Sequence, residues 1–123
     1  MIEMTSVSAS SDMIEKLFVD QADFCSIFRN SIRLKILCML GFKERSVGEM
    51  SDRLNVSMSN ISQHLRIMKD RGIISSRKEG QRIYYRITNK KFLSGPALVR
   101  SGLIEIYGLD EKTVTQALEA ELS

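Results

Sequence analysis

The sequence predicts a mainly α domain of the α+β class, built from several helices and one β-hairpin. Hydrophobic residues recur at helical spacing through most of the 123 residues, whereas the stretch after Gly72 alternates with a period of two. A chain of this length has room for one hydrophobic core and little more. Its content of 43% hydrophobic and 27% charged residues is typical of a globular protein.

The N-terminal segment divides into a tail and a helix. Residues 1–11 are rich in Ser and Thr, which favours a flexible tail. Asp12 is a suitable N-cap, and Leu17, Phe24 and Phe28 then recur near helical spacing. We therefore expect the first helix to run from Asp12 to about Phe28.

Two further helices follow. Asn30 or Ser31 can cap the second helix, and Gly41 is expected to end it. Ser46 begins a third, shorter helix, with Glu49 at the spacing of a capping box. The residues of these two helices that we expect to face inward are Ile32, Ile36, Leu37, Leu40, Val47, Met50 and Leu54.

A fourth helix is predicted over residues 57–71. Ser57 is its expected N-cap, and Gly72 is expected to stop it. This helix follows the third one after a turn of only a few residues. Two short helices joined in this way form a helix-turn-helix arrangement.

A β-hairpin is predicted directly after the helix-turn-helix. We expect strands over 73–78 and 82–88, joined by a turn at 79–81 in which Gly80 supplies a positive φ. The second strand alternates apolar with polar positions, as a strand with one buried and one exposed face does. The residues expected on its buried face are Ile83, Tyr85 and Ile87. The fold predicted is thus a winged helix-turn-helix, with the hairpin as the wing.

The C-terminal third is predicted to be helical. Pro96 is expected in the first turn of a helix that ends near Tyr107, where Gly108 breaks it. Asp110 then caps a last helix. This last helix contains the apolar residues Val114, Ala117, Leu118 and Leu122.

Positive charge is concentrated in the middle of the chain. Residues 43–91 hold 12 Lys and Arg against 5 Asp and Glu, whereas both ends of the chain are acidic. A basic centre between acidic ends suggests that one face meets a polyanion. An unevenly charged, solvated surface would give the same totals, so charge alone leaves both interpretations open.

The fourth helix has one apolar and one polar face. An advance of 100° per residue places Leu65 and Met68 on the same face as Ile61, with Met58 nearby, so we expect these four in the core. The opposite arc carries short hydrogen-bonding side chains in the N-terminal half of the helix. Such residues can read base edges when a recognition helix lies in the major groove of DNA. The predicted base-reading residues are Ser59, Asn60, Gln63 and His64.

Cationic and hydroxyl side chains around this helix suit phosphate contacts. A helix N-terminus favours an anion, and a basic hairpin can lie along the DNA backbone and position the protein without reading sequence. The predicted phosphate-contacting residues are Ser57, Arg66, Arg77, Lys78 and Arg82.

Several other kinds of function are disfavoured. His64 is the only histidine, and one imidazole without converging partners makes no metal site. There is no nucleophile motif and no glycine-rich phosphate loop, so no catalytic residue and no cofactor are expected. No export signal and no run long enough for a membrane span is present, which, with only two cysteines, predicts a cytoplasmic protein that binds no membrane.

Five segments together resemble the ArsR/SmtB family of winged-helix repressors. They cover about half of the chain, and the serine-rich stretch SMSNISQHL is the most specific of them. The segments are residues 33–40, 46–50, 57–65, 70–74 and 77–85.

The resemblance implies a homodimeric repressor that binds double-stranded DNA at an imperfect palindromic operator. The helices at both ends of the domain would form the dimer contact. The organisation would then be a tail over 1–11, a DNA-binding and dimerisation domain over 12–107, and a C-terminal helical extension over 108–123.

The metal sites known in this family do not fit the sequence. One site uses paired cysteines in the third helix, and Val47–Leu54 contains none. Another uses His with Asp or Glu in the C-terminal helix, and residues 89–123 contain no His. The resemblance therefore does not imply a metal as the effector, and it points to no other one.

The cysteines leave one alternative open. Cys38 lies in the second helix, where some thiol-sensing relatives also carry a cysteine, but those relatives pair it with a second cysteine near the C-terminus. Here Cys25 is the only other cysteine. Two buried structural cysteines and a redox-responsive repressor are both compatible with the sequence. A winged-helix interaction module without DNA binding is a further alternative.

Overall fold

The computed structural model describes the backbone of residues 2–123 and the side chains of residues 10–123. The helices and strands of this part of the chain are packed around one core. In chain order they are α1 (Ile2–Cys25), a 3₁₀ turn (Ser26–Arg29), α2 (Ser31–Phe42), β1 (Arg45–Ser46), α3 (Val47–Leu54), α4 (Met58–Asp70), β2 (Ile74–Glu79), β3 (Arg82–Ile87), α5 (Lys91–Tyr107) and α6 (Glu111–Leu122).

Side-chain caps begin most of these helices, as the sequence predicts. The Asn30 side chain accepts a hydrogen bond from the backbone N–H of Arg33 and caps α2. Ser46 and Glu49 form a complete capping box at α3. Asp110 accepts from the backbone N–H of Thr113 at α6. Each cap satisfies an N–H that the helix itself leaves without a partner.

The sheet has three antiparallel strands in the order β1-β3-β2. The predicted hairpin is confirmed, because β2 pairs with β3 and Gly80 in the connecting turn has a φ of 63°. The strand β1 was not predicted. It pairs Arg45 with Tyr85 and Ser46 with Tyr84, and two residues are too few to show a strand periodicity in sequence.

The core lies between the helix-turn-helix, α2 and the sheet. The predicted inner face of α4 is confirmed for Ile61, Leu65 and Met68, which are almost completely buried. The prediction for Met58 is wrong, since its side chain is 56% exposed. Met58 is the first residue of α4 and lies about 60° from Ile61 around the helix, at the edge of the buried arc.

The first helix differs from its predicted bounds at both ends. Helix α1 begins at Ile2, not at Asp12, and ends at Cys25. No Gly or Pro interrupts the first 25 residues, and Ser or Thr costs a helix only a few tenths of a kcal/mol each. The predicted tail over 1–11 is therefore helical in the described residues, and Met1 lies outside them.

Gly41 and Pro96 both lie inside helices rather than at their ends. Helix α2 continues to Phe42, and a Cβ on Gly41 would approach Cδ1 of Leu93 to 3.1 Å, so this glycine permits α5 to pack closely. Helix α5 begins at Lys91, one turn earlier than predicted. In β3, Ile83 is exposed although Tyr85 and Ile87 pack against the core, because the hairpin tip extends beyond it.

The terminal helices are attached to the core at one end each. The ring of Phe24 lies 5.0 Å from that of Phe92, and Asp23 forms an ion pair with Arg71 after α4. Leu122, in the predicted C-terminal extension, is buried in the core. Within residues 2–123, no helix combines the length and the apolar character that crossing a bilayer requires.

Candidate nucleic-acid interface

The turn between α3 and α4 sets the direction of α4. Asn55 ends α3 in the left-handed conformation with a φ of 55°, which Asn tolerates better than most residues. The Ser51 hydroxyl donates to the carbonyl of Val56 at 2.6 Å, and Ser57 Oγ accepts from the backbone N–H of Asn60 at 3.2 Å. The turn is therefore held at both ends by serine side chains.

Polar side chains cover the outer face of α4. Ser59 and Gln63 are exposed, whereas Asn60 and His64 are half-buried at the edge of the face. Their donors and acceptors match those that the bases present in the major groove. The helix periodicity thus brings together the four predicted base-reading residues on one accessible strip.

His64 contacts a residue that the sequence analysis did not single out. Its Nδ1 lies 3.3 Å from Nη1 of Arg33, and Nε of Arg33 donates to the carbonyl of Ile27 at 2.6 Å. Burial, with the nearby Arg33 charge, lowers the pKa of His64 from its ordinary value. Arg33 and His64 are 31 residues apart, and nothing in the sequence indicates this contact.

Three exposed cations of the candidate interface lie on α4 and on both strands of the wing. Arg66 projects from α4, and Lys78 and Arg82 lie next to the hairpin turn. Among the described side chains, none of the three has a carboxylate within 4.0 Å. Ser57 Oγ accepts from the backbone, so its own proton can be donated to an anion at the N-terminus of α4.

Arg77 differs from the other predicted phosphate contacts. Its guanidinium pairs with Glu44 at 2.9 Å and with Glu79 at 2.5 Å, and it lies over the ring of Tyr84. The hydrogen bond from Arg77 lowers the pKa of Glu44. This cluster ties β2 to the start of β1, and Glu44 is a second residue that the sequence analysis missed.

The two cysteines lie in different environments. Cys25 is exposed at the end of α1, and Cys38 is half-buried in α2; neither forms a disulfide. Burial raises the pKa of the Cys38 thiol, against a smaller opposing effect of the Arg100 charge. A raised pKa leaves less of the reactive thiolate at neutral pH. Among the side chains of residues 10–123, no group of three or more His, Cys, Asp or Glu could hold a metal ion.

Comparison with protein families places this interface within a known regulatory domain. The family profile described as "Bacterial regulatory protein, arsR family" matches residues 30–76, which include α2, α3, α4 and the start of β2. The match therefore contains the whole helix-turn-helix and most of the candidate interface.

Two curated relatives extend the match. The "Transcriptional activator HlyU" of Vibrio cholerae is 47% identical over 60 residues, which span 49% of this chain but only 56% of that protein. The "Biofilm growth-associated repressor" of Agrobacterium fabrum is 31% identical over 78 residues, covering 63% of this chain and 67% of the relative.

A solved structure shows the same architecture. It is the homodimeric winged helix-turn-helix DNA-binding domain of a possible ArsR-family transcriptional regulator from Mycobacterium bovis. It superimposes with a TM-score of 0.70 at 29% sequence identity, covering 78% of this chain and 89% of that one. The winged helix-turn-helix fold predicted from the sequence is thereby confirmed.

Proposed function

Because the chain belongs to the ArsR family of bacterial regulatory proteins, we propose that it is a homodimeric repressor that binds an imperfect palindromic operator. The family consists of winged-helix transcriptional regulators, not enzymes, as the sequence led us to expect. The single observation that carries the proposal is the exposed polar strip on α4, which has no role in the core. A cytoplasmic location belongs to the same proposal.

In the proposed complex, α4 lies in the major groove. Gln63 and Asn60 can each form two hydrogen bonds with adenine, and Ser59 can donate or accept. His64 donates from Nε2, because its Nδ1 is already the acceptor from Arg33. These four side chains read sequence.

The phosphate contacts come from four residues around the strip. Ser57 and Arg66 hold the backbone beside α4, and Lys78 and Arg82 hold it along the wing. We leave Arg77 out of this set because its charge is already balanced by Glu44 and Glu79.

A homodimer accounts for a palindromic site. The related domain from Mycobacterium bovis is described as homodimeric. Two copies of α4 related by a twofold axis would meet successive major grooves about 34 Å apart. Repression is proposed rather than activation on the sequence resemblance, although the two relatives compared above bear the names of an activator and a repressor.

Base reading and phosphate contact can be separated by experiment. Footprinting the full chain on DNA upstream of its own gene would identify the operator. Replacement Gln63→Ala should then weaken operator binding by about 1–3 kcal/mol while binding to random duplex is unchanged. Replacement Lys78→Ala should weaken both equally and reduce the salt dependence. An unchanged operator preference for Gln63→Ala would contradict the assignment of the reading face.

The direction of regulation needs a separate measurement. A reporter gene placed behind the footprinted operator should be expressed more strongly when the regulator is deleted. Lower expression in the deletion strain would show activation and overturn the repressor part of the proposal alone.

A further inference from the structure

A cavity of about 460 Å³ lies between α2, α5 and α6, and none of its lining residues belongs to the candidate nucleic-acid interface. Its volume falls within the range of sites that hold small molecules, which is about 300–1,000 Å³. It opens to solvent past Phe42 and Val99, both exposed. The proposed function does not use this cavity.

The walls of the cavity are largely apolar. Helix α2 contributes Leu37, α5 contributes Leu93, and α6 contributes Leu118 and Leu122, which lie one turn apart on the same face. Covering such water-facing apolar surface with an apolar group lowers the free energy of the system.

Two cations lie among these apolar residues. Lys35 and Arg100 line the cavity, and no Asp or Glu does. Among the described side chains, neither cation has a carboxylate within 4.0 Å. A smaller adjoining cavity shares Arg100 and is lined by Glu111 and Glu119, which lie beyond ion-pair distance of it. The charge of Arg100 is thus available to an anion in the larger cavity.

We propose that this cavity binds a small amphipathic carboxylic acid, with its apolar part between α2, α5 and α6 and its carboxylate on Arg100 and Lys35. A guanidinium recognises a carboxylate through two parallel hydrogen bonds, and partial burial strengthens such a pair. An uncharged or cationic molecule could contact the apolar walls but could not pair with the two cations.

Helix α6 connects the cavity with the helix-turn-helix. The carbonyl of Leu122 accepts a hydrogen bond from Nη2 of Arg45 at 3.2 Å, and that of Glu121 accepts from Arg53 at 3.4 Å. Arg45 is 4% exposed and directly precedes the N-cap of α3, and its Nε has no partner among the described residues. A ligand that displaces α6 would therefore disturb a buried cation at the start of the helix-turn-helix. This regulatory consequence rests on the proposed function, whereas binding itself does not.

Calorimetric titration of the full chain without DNA tests the binding. The probe is decanoate, and decan-1-ol is its uncharged analogue. Decanoate should bind once per chain and at least tenfold more tightly than decan-1-ol. Replacement Arg100→Gln should remove most of that difference, whereas Lys112→Gln, on the exposed side of α6 outside both cavities, should bind as the unchanged protein does.

Two further variants test whether binding needs the space in the cavity and whether it needs the Cys38 thiol. Ala97→Phe places a ring inside the cavity and should abolish binding without changing its charge. Cys38→Ser should retain binding, because the proposed contact uses no thiol chemistry. Circular dichroism checks the fold of each variant, and the comparison of decanoate with decan-1-ol on the unchanged protein needs no variant at all.

Four results would overturn the proposal. They are no decanoate binding, equal affinity for the acid and the alcohol, full affinity in folded Arg100→Gln, and conversion of dimers to monomers by decanoate. The last result would mean that a second copy of the chain occupies the cavity. Operator binding measured with and without decanoate tests the coupling separately, and a failure of the free protein to bind any operator would count against the proposed function and not against this site.

Discussion

At the scale of single residues, the contact between Arg33 and His64 determines what the histidine can offer to DNA. A guanidinium has donors only, so the nitrogen that faces it must be the acceptor. The neutral imidazole then carries its proton on Nε2. Protonation of Nδ1 would remove this acceptor and place two cations side by side. The fold therefore favours the neutral form, in agreement with the lowered pKa of His64.

This argument predicts how the single histidine titrates. We expect NMR to give a pKa for His64 below its ordinary value of 6.5, and Arg33→Gln to raise it. Between the folded-state pKa and 6.5 the unfolded chain binds more protons, so stability should increase as pH rises through that interval. An unshifted pKa in the unchanged protein would contradict the contact. Replacement Arg66→Gln, on the opposite side of α4, serves as the control.

The residue scale also shows how far the sequence predicts the site. A regular helix carries its own periodicity, so the buried set Ile61, Leu65 and Met68 defined the outer strip of α4 correctly. The prediction that Met58 is buried was wrong because helical periodicity does not show how far the neighbouring elements extend along the helix. Arg33 and Glu44 were missed because each acts across a long sequence separation through tertiary packing. Such pairings leave no local pattern.

At the scale of elements, the wing is held by side chains as well as by its strands. Arg77 on β2 reaches across Tyr84 on β3 to Glu44, which precedes β1. The three strands are thus connected on one face by a cation, a ring and a carboxylate. Lys78, the next residue, has no such partner among the described side chains and remains available for DNA.

Two neighbouring cations should therefore behave differently in salt titrations. Lys78→Gln should reduce the steepness of the fall of log affinity with log salt by about 1, because one fewer counterion is released on binding. Arg77→Gln should change the slope less, since Glu44 and Glu79 already balance its charge. Glu44→Gln should increase the affinity for random duplex. Equal slopes for the two cation variants would show that Arg77 exchanges its carboxylates for phosphate.

Element boundaries were predicted well where a side chain marks them and poorly elsewhere. Ser46, Ser57 and Asp110 are caps in the structure as in the sequence analysis. The start of α1 has no such marker, and Asp12 was mistaken for one. Glycine and proline are found both at helix ends and within helices, and Gly41 lies within α2 where Leu93 packs closely against it. Local sequence does not contain that contact.

At the scale of the whole molecule, α1 and α5 leave large apolar surfaces uncovered. In α1, Phe18 is 63% exposed, and in α5, Ile106 is 77% exposed. An advance of 100° per residue places Leu98 and Ile106 roughly 140° away from Leu93 around α5, opposite the cavity. Dimerisation through this outer face would leave the α2–α5–α6 cavity accessible.

The dimer contact can be tested with one charge on α1 and one on α5. Phe18→Glu and Ile106→Glu should each shift the sedimenting species from twice the chain mass toward a single chain, because a lone carboxylate cannot be buried in an apolar contact without a large cost. Operator binding should weaken with dimer loss, since one copy of α4 meets one half-site. Met58→Glu is the matched control, an exposed methionine on α4 whose replacement should leave the dimer intact. Dimers that persist in both Phe18→Glu and Ile106→Glu would place the contact on another surface.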